Sequence, residues 1–442
     1  MKNIYILTLL TLLTFTQACQ QEPYDPSIAA NPSLLHRAVE KTTEIIVLDI
    51  FSPVVAARIY AYSNIAHYEA VRQGHPEYRS FAGQLRDLTE VPEAPADASV
   101  DVNLAGLHAY MVVSKAMIFS ESVMDEFREN LYADLKAKGI PDDIFDASIA
   151  YGEEVAKHIL AWADKDMYKE TRSYPKYTIN EDLARWQPTP PAFIEAVEPH
   201  WREIRPMVLD SASQFSPETN TTFSTDKESL FYKEAVDVYA AVDTNRDERL
   251  QIANFWDCNP YVMHQQGHLM VATKKITPGG HWMGIVGLAT RKANLDIVGT
   301  SEVYALVGVG LFDGFISCWD EKYRSNLVRP ETYINRFVDP DWEPALQTPP
   351  FPEHTSGHSV ISTASAVILT DLFGDNFAFD DSTEVPYDLP VRSFNSFYDA
   401  AAEAAISRFY GGIHYMPSID YGVDQGRNVG QYVLANVDTR AE

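Results

Sequence analysis

Cysteine is scarce in this chain of 442 residues: there are three, with no Cys-x-x-Cys pair, so neither a disulfide framework nor a cysteine-built zinc knot organises the fold. Positive charge is scarce too. Lys and Arg number 35 against 62 Asp and Glu, a formal net charge of −27, and the field of such a chain repels the phosphates of a nucleic acid. Past the N-terminal leader no run of about 20 apolar residues occurs, which argues against a bundle of membrane-spanning helices. Period-two strands are rare and no unit recurs at roughly 20 to 50 residues, which excludes solenoids and propellers. What is abundant is apolar surface: 46% hydrophobic and 12% aromatic residues can build a large core, far from the composition of a disordered chain.

Residues 3 to 21 carry no charge, Lys2 precedes them, and the apolar run from Ile4 to Phe15 ends in Thr16-Gln17-Ala18-Cys19. That pattern is a secretory leader. Cys19 resembles the lipid-attachment cysteine of bacterial lipoproteins, although Thr16 stands where Leu is usual. The resemblance implies cleavage after residue 18 and a lipid anchor on a cell-envelope membrane, periplasmic or surface-exposed. The expected layout is a signal peptide over 1–18 and a single α-helical domain over 19–442. Cys258 and Cys318 are expected as buried thiols, with a disulfide between them as the alternative in an oxidising compartment.

Helical periodicity dominates the rest. Val55, Ile59, Tyr62 and Ala66 follow the spacing of one helical face, and Pro53 divides the stretch from Leu34 to Arg72 into two helices. Further helices are expected over about 103–120, 121–138, 143–166, 230–242, 246–256, 293–323, 357–373 and 393–410. Between about 167 and 228 a Pro-, Thr- and Ser-rich stretch around Trp186 and Trp201 reads as an irregular excursion pinned by aromatics. The fold class is therefore all-α, a large helical bundle.

Three segments in the last third each offer groups that bind an oxyanion. In Lys322-Tyr-Arg-Ser-Asn-Leu-Val-Arg329-Pro330 the two cations stand seven apart, about two helical turns, on one face. In Thr355-Ser356-Gly357-His358 a Ser-Gly pair opens a helix, presenting a hydroxyl, free N–H groups and the positive end of the helix dipole. In Ser407-Arg408-Phe-Tyr-Gly411-Gly412-Ile-His414 a helix delivers Arg408 and a glycine turn lets His414 point back. Each alone is an ordinary feature: a cationic helix end, a serine N-cap, a structural histidine. In combination and in this order they point to one anion site.

These segments resemble the superfamily shared by vanadium-dependent haloperoxidases and type 2 phosphatidic acid phosphatases. Trp186-Gln-Pro-Thr-Pro-Pro, Ala253-Asn-Phe-Trp256 and the stretch from Asp313 to Lys322 are similar to the haloperoxidase branch. The resemblance implies a helical bundle of that type, in which Lys322, Arg329, Ser356, Gly357 and Arg408 bind vanadate, or phosphate in the same site. His414 is then the axial vanadium ligand, or the nucleophile that becomes phosphorylated, and His358 the acid–base group. Two departures stand out. Thr355 replaces the Pro common before Ser-Gly-His, and Asp420 follows His414 at six residues where the phosphatases have an Asp at four.

The activity implied is oxidation of a halide by hydrogen peroxide at vanadate. The alternatives are a soluble acid phosphatase that hydrolyses phosphate monoesters, and a surface lipoprotein that binds phosphate without turnover. Trp319 and Phe351 match residue types near the halide in chloride-oxidising members, and with His354 and Asp257 they are candidates to line the pocket. Asp257 and Asp313 are candidates to orient a site Arg or Lys. Separately, His264 and His268 stand i, i+4 on an expected helix, with His281 beyond. That spacing suits a divalent metal, with Asp257 as a further ligand, although the Glu of the zinc-protease pattern is missing; pocket lining and structural hydrogen bonding are the other readings.

Overall fold

The computed structural model describes residues 24–96, 99–217, 221–243, 247–266 and 269–441. The leader, Cys19 and His268 lie outside them. Helix α1 (Pro32–Leu48) starts from Asn31 and α2 (Pro53–Val71) from Ser52, each cap accepting a first-turn N–H and each followed by Pro at the first helical position. Pro53 therefore opens α2. Helices α3 (Val102–Lys115), α4 (Glu121–Ala137) and α5 (Asp142–Ala163) follow close to expectation, and α6 (Tyr168–Thr171) is a single turn. The irregular stretch after it is anchored by the fully buried indoles of Trp186 and Trp201.

After α7 (Leu230–Asp243) and α8 (Asp247–Phe255), strands β1 (Met263–Gln266) and β2 (Leu269–Ala272) pair antiparallel. His264 thus sits in a strand, not on the expected helix, and His268, its expected partner, lies outside the described residues. Helix α9 (Pro278–Lys292) occupies a glycine-rich stretch that periodicity does not mark. Helix α10 (Ile297–Ser325) starts four residues later than expected, because the Asp296 carboxylate caps the Gly299 N–H. Then come α11 (Pro330–Phe337), α12 (Gly357–Phe373), the ladder of β3 (Phe379–Asp381) with β4 (Arg392–Phe394), α13 (Phe397–Tyr410) and α14 (Met416–Asn436).

Helix α10 is the axis of the molecule. Every residue from Ile297 to Lys322 is buried, with α2 packed on one side and α12 on another. Helix α2 in turn packs on α3 and α3 on α5, while α12 packs on α13 and α14. One apolar cluster runs through these layers from Ala29 to Val437. Among the described residues, α10 is the one helix long and apolar enough to cross a membrane, and its apolar stretch is wholly inside the protein.

Candidate active site

The three candidate segments meet at the ends of five helices. Lys322 lies in the last turn of α10, which closes at Asn326 in the left-handed region (φ 49°). Arg329 is extended just before α11, so it does not share a helical face with Lys322; the chain leaves α10 and returns to the same cavity. Ser356 caps α12, its Oγ accepting the Ser359 N–H at 3.3 Å, which leaves the hydroxyl proton to donate. Arg408 lies in the last turn of α13. Gly412 (φ 77°) turns the chain so that His414 arrives immediately before α14.

Gly357, His358, Arg408 and His414 line a small, partly open cavity of about 30 Å³ whose walls include Trp319, Phe351, Phe315, Cys258 and prolines. That volume holds one or two water-sized groups. Lys322, Arg329 and Ser356 are fully buried around it. Arg329 Nη1 donates to the Ile413 carbonyl at 2.9 Å and lies 3.0 Å from His414 Nε2, while Nε donates to the Phe351 carbonyl at 2.9 Å. Lys322 Nζ commits its donors to the carbonyls of Pro352, Glu353 and Thr355. Arg408 Nη2 donates to the Trp256 carbonyl at 2.7 Å.

Among the buried polar atoms without a partner are Arg329 Nη2 and His358 Nε2, both at this site. A buried Arg N–H and a buried imidazole nitrogen without partners are costly unless a ligand completes them. The electrostatics agree. Burial, then the charges of Arg329, Lys322 and Arg408, hold the His414 imidazole well below its usual range. Burial, then Arg408, does the same to His358. Burial, opposed by Glu353, lowers Arg329 to about 10. Each shift favours shedding positive charge, and a bound oxyanion would reverse it.

Glu353 is a buried residue beside His414 that the sequence motifs did not single out. Its Oε1 accepts from His414 Nδ1 at 2.8 Å and from the Tyr415 N–H at 3.0 Å, and its Oε2 accepts from the Ser418 hydroxyl. With Nδ1 donating, the Nε2 lone pair faces Arg329 and the cavity. Asp420, the carboxylate nearest after His414 in the sequence, is exposed.

Other candidates fall elsewhere. Trp319 and Phe351 pack on each other at 4.9 Å beside the cavity, with the Lys322 ammonium 5.1 Å from the Phe351 ring. His354 is not in the cavity wall: its ring faces Ser418, 2.9 Å away, and Tyr421. Asp257 is salt-bridged to Lys275 and stands 4.0 Å from Arg408 Nη1, backing the cavity without lining it. Asp313 accepts three N–H groups from Met207 to Leu209 and orients no site cation. Thr355 donates to Gln425 Oε1 at 2.6 Å. Cys258 and Cys318 are both free and buried. His281 is drawn to Asp381 and Glu384, away from the hairpin that carries His264.

Residues 302–442 match the family model described as the VCPO second helical-bundle domain. The whole fold is similar to the crystal structure of a bacterial vanadium-dependent iodoperoxidase, with 50% identity and a TM-score of 0.90, covering 96% of this chain and all of that one (100%). Apo and holo structures of bacterial vanadium-dependent chloroperoxidases share the fold at 16% and 17% identity, with TM-scores of 0.66 and 0.65. They cover 88% and 94% of this chain, and 96% of each of those chains. No curated protein sequence matches the chain.

Proposed function

The chain belongs to the vanadium-dependent haloperoxidase family, and from that membership we propose that it oxidises a halide with hydrogen peroxide at a vanadate held by Lys322, Arg329, Ser356, Gly357 and Arg408. In this reading His414 Nε2, directed at the cavity, would be the nitrogen that binds the vanadium. The observation that carries it is a small cavity lined by Arg408, His358 and His414, with buried Arg329 against His414, buried Lys322 against the Phe351 wall, and Arg329 Nη2 and His358 Nε2 without a partner. The donor set suits a tetrahedral or trigonal-bipyramidal oxyanion. Vanadate, once bound, supplies the Lewis-acidic centre that activates peroxide toward a halide.

The protein's own residues have separable tasks. Arg329, the Gly357 N–H and the Ser356 hydroxyl donate to the oxyanion, each such charge-assisted bond contributing roughly 1.5–3 kcal/mol. Lys322 adds charge at short range while bracing the carbonyls around the Ser-Gly-His turn. Glu353 keeps the His414 lone pair directed at the site. His358, neutral and with Nε2 free, accepts a proton from peroxide or returns one to a departing oxygen. The aromatic and proline walls surround the site with low-dielectric groups, which strengthens the charges inside.

Iodide is the halide this reading favours, supported by the 50% identity to an iodoperoxidase over 96% of the chain. The test is a paired assay: oxidation of iodide, bromide and chloride with peroxide and added vanadate, against nitrophenyl phosphate hydrolysis. Vanadate-dependent iodide oxidation is expected, abolished in His414→Ala. His358→Ala should slow turnover by roughly 10²–10⁴-fold while vanadate still binds. Phosphate-ester hydrolysis without halide oxidation would overturn the proposal in favour of a phosphatase. From the leader alone we also propose lipid attachment at Cys19 and residence on the cell envelope; release of Cys19→Ser protein from the membrane fraction would test it.

A further inference from the structure

Behind the oxyanion cavity lies a cluster with the composition and spacing of a metal site. Cys258 Sγ is 3.5 Å from His281 Nδ1 and 3.6 Å from Glu384 Oε1, and His281 Nδ1 is 3.0 Å from that same oxygen. Three ligand atoms at tetrahedral angles about a zinc ion, with bonds of about 2.0–2.3 Å, stand roughly 3.3–3.6 Å apart. The observed triangle is close to one face of that tetrahedron. All three side chains are buried.

The surroundings fit as well. On its far side His281 Nε2 lies 2.8 Å from Asp381 Oδ2, and Asp381 Oδ1 accepts from the Thr383 N–H and hydroxyl. A carboxylate at the second ring nitrogen is the arrangement that fixes the tautomer of a metal-bound histidine. The Trp256 ring stacks on the imidazole at 4.4 Å, closing one face.

We propose that Cys258, His281 and Glu384 bind a divalent transition metal, zinc by the softness and number of the ligands, with Asp381 as the orienting carboxylate and a solvent molecule in the fourth position. Cys258 binds as thiolate and His281 through Nδ1, so the thiol proton and the Nδ1 proton pass to solvent and nothing is oxidised or reduced. The metal would tie three separate segments together: the loop after α8, the first turn of α9 and the turn after β3. Because Cys258 lines the oxyanion cavity and the Trp256 carbonyl holds Arg408, the ion would brace the cradle from outside.

The test is titration of the full chain with Co²⁺ after chelator treatment, with no vanadate or halide present. About one equivalent should bind, giving a thiolate-to-cobalt charge-transfer band in the near ultraviolet and tetrahedral ligand-field bands in the visible, both bleached by zinc. Cys258→Ser should lose the charge-transfer band and Cys318→Ser should keep it. Glu384→Gln should retain the band with affinity about tenfold lower or worse. Absence of cobalt binding, binding without a thiolate band, or a band that survives Cys258→Ser would each overturn the proposal. The unmutated titration is decisive even if a variant fails to fold. Since no haloperoxidase substrate enters the assay, its failure leaves the proposed activity standing.

Discussion

At the scale of single residues, the site depends on how His414 is held. Its neutral imidazole is caught between Glu353 at Nδ1 and Arg329 at Nε2, and the Glu353 backbone carbonyl also receives Lys322. Burial pushes the Glu353 carboxyl up, while Ser418, Arg329 and Lys322 pull it back. Replacing it by Gln keeps the shape, but an amide NH₂ turned to His414 would favour the opposite tautomer and turn the lone pair away from the cavity. Glu353→Gln is therefore expected to weaken vanadate binding and activity about 10–100-fold, read from iodide oxidation as a function of vanadate concentration. Unchanged vanadate dependence would mean Glu353 only supports the fold. The histidines, the arginines and Lys322 were legible because each sits in a short motif. Glu353 was not, because its partner lies 61 residues away along the chain and no local spacing connects them.

At the scale of elements, the cradle depends on how closely α14 approaches α12. Gly422, Gly426 and Gly430 fall at i, i+4 and i+8 of α14. A Cβ added at Gly426 would stand 2.1 Å from the Val360 carbonyl oxygen, and one at Gly422 would stand 3.0 Å from the Ser356 carbonyl oxygen. The helix backbones touch there, with no flexible side chain to move aside. Gly426→Ala should cost about 3 kcal/mol or more by overpacking, lower the melting temperature, and weaken vanadate binding because α12 carries Ser356 and Gly357 at its start. A variant with wild-type stability and affinity would refute the close-packing account. The same glycines explain why α14 was not legible: they lower helix propensity and interrupt the apolar period, although they are the packing face. Helix α9, opening Pro278-Gly-Gly, was hidden in the same way. Helices α1, α2 and α5 were legible from apolar periodicity, with Pro53 marking the break between the first two, and α12 from its Ser-Gly start and apolar run.

At the scale of the whole molecule, a chain of net charge −27 encloses a cationic cavity and several neutral, buried histidines, so its stability must depend on pH in more than one direction. His67 is the simplest case: it is fully buried in α2 with its Nδ1 2.7 Å from Ser301 Oγ, and burial is the sole cause holding it down at about 3. The unfolded chain takes up this proton below about pH 6.5 and the folded chain does not, so the contribution is intact above that pH and is lost as pH falls. Asp313 acts in the opposite sense. Burial outweighs its three N–H donors and raises it to about 6, so the folded state holds a proton that the unfolded state has released, and stability drops as pH rises from about 4 to 6. Because such groups oppose one another, the melting temperature of the protein alone does not isolate either. The difference between the protein and its His67→Gln variant does. That difference should be largest near pH 7.5 and should shrink by about 1.4 kcal/mol per pH unit below about 6.5, measured by denaturant unfolding at about pH 7.5, 6 and 5. A difference that stays constant across this range would mean that His67 titrates alike in the folded and unfolded chain, and that α2 admits water where the packing against α10 excludes it.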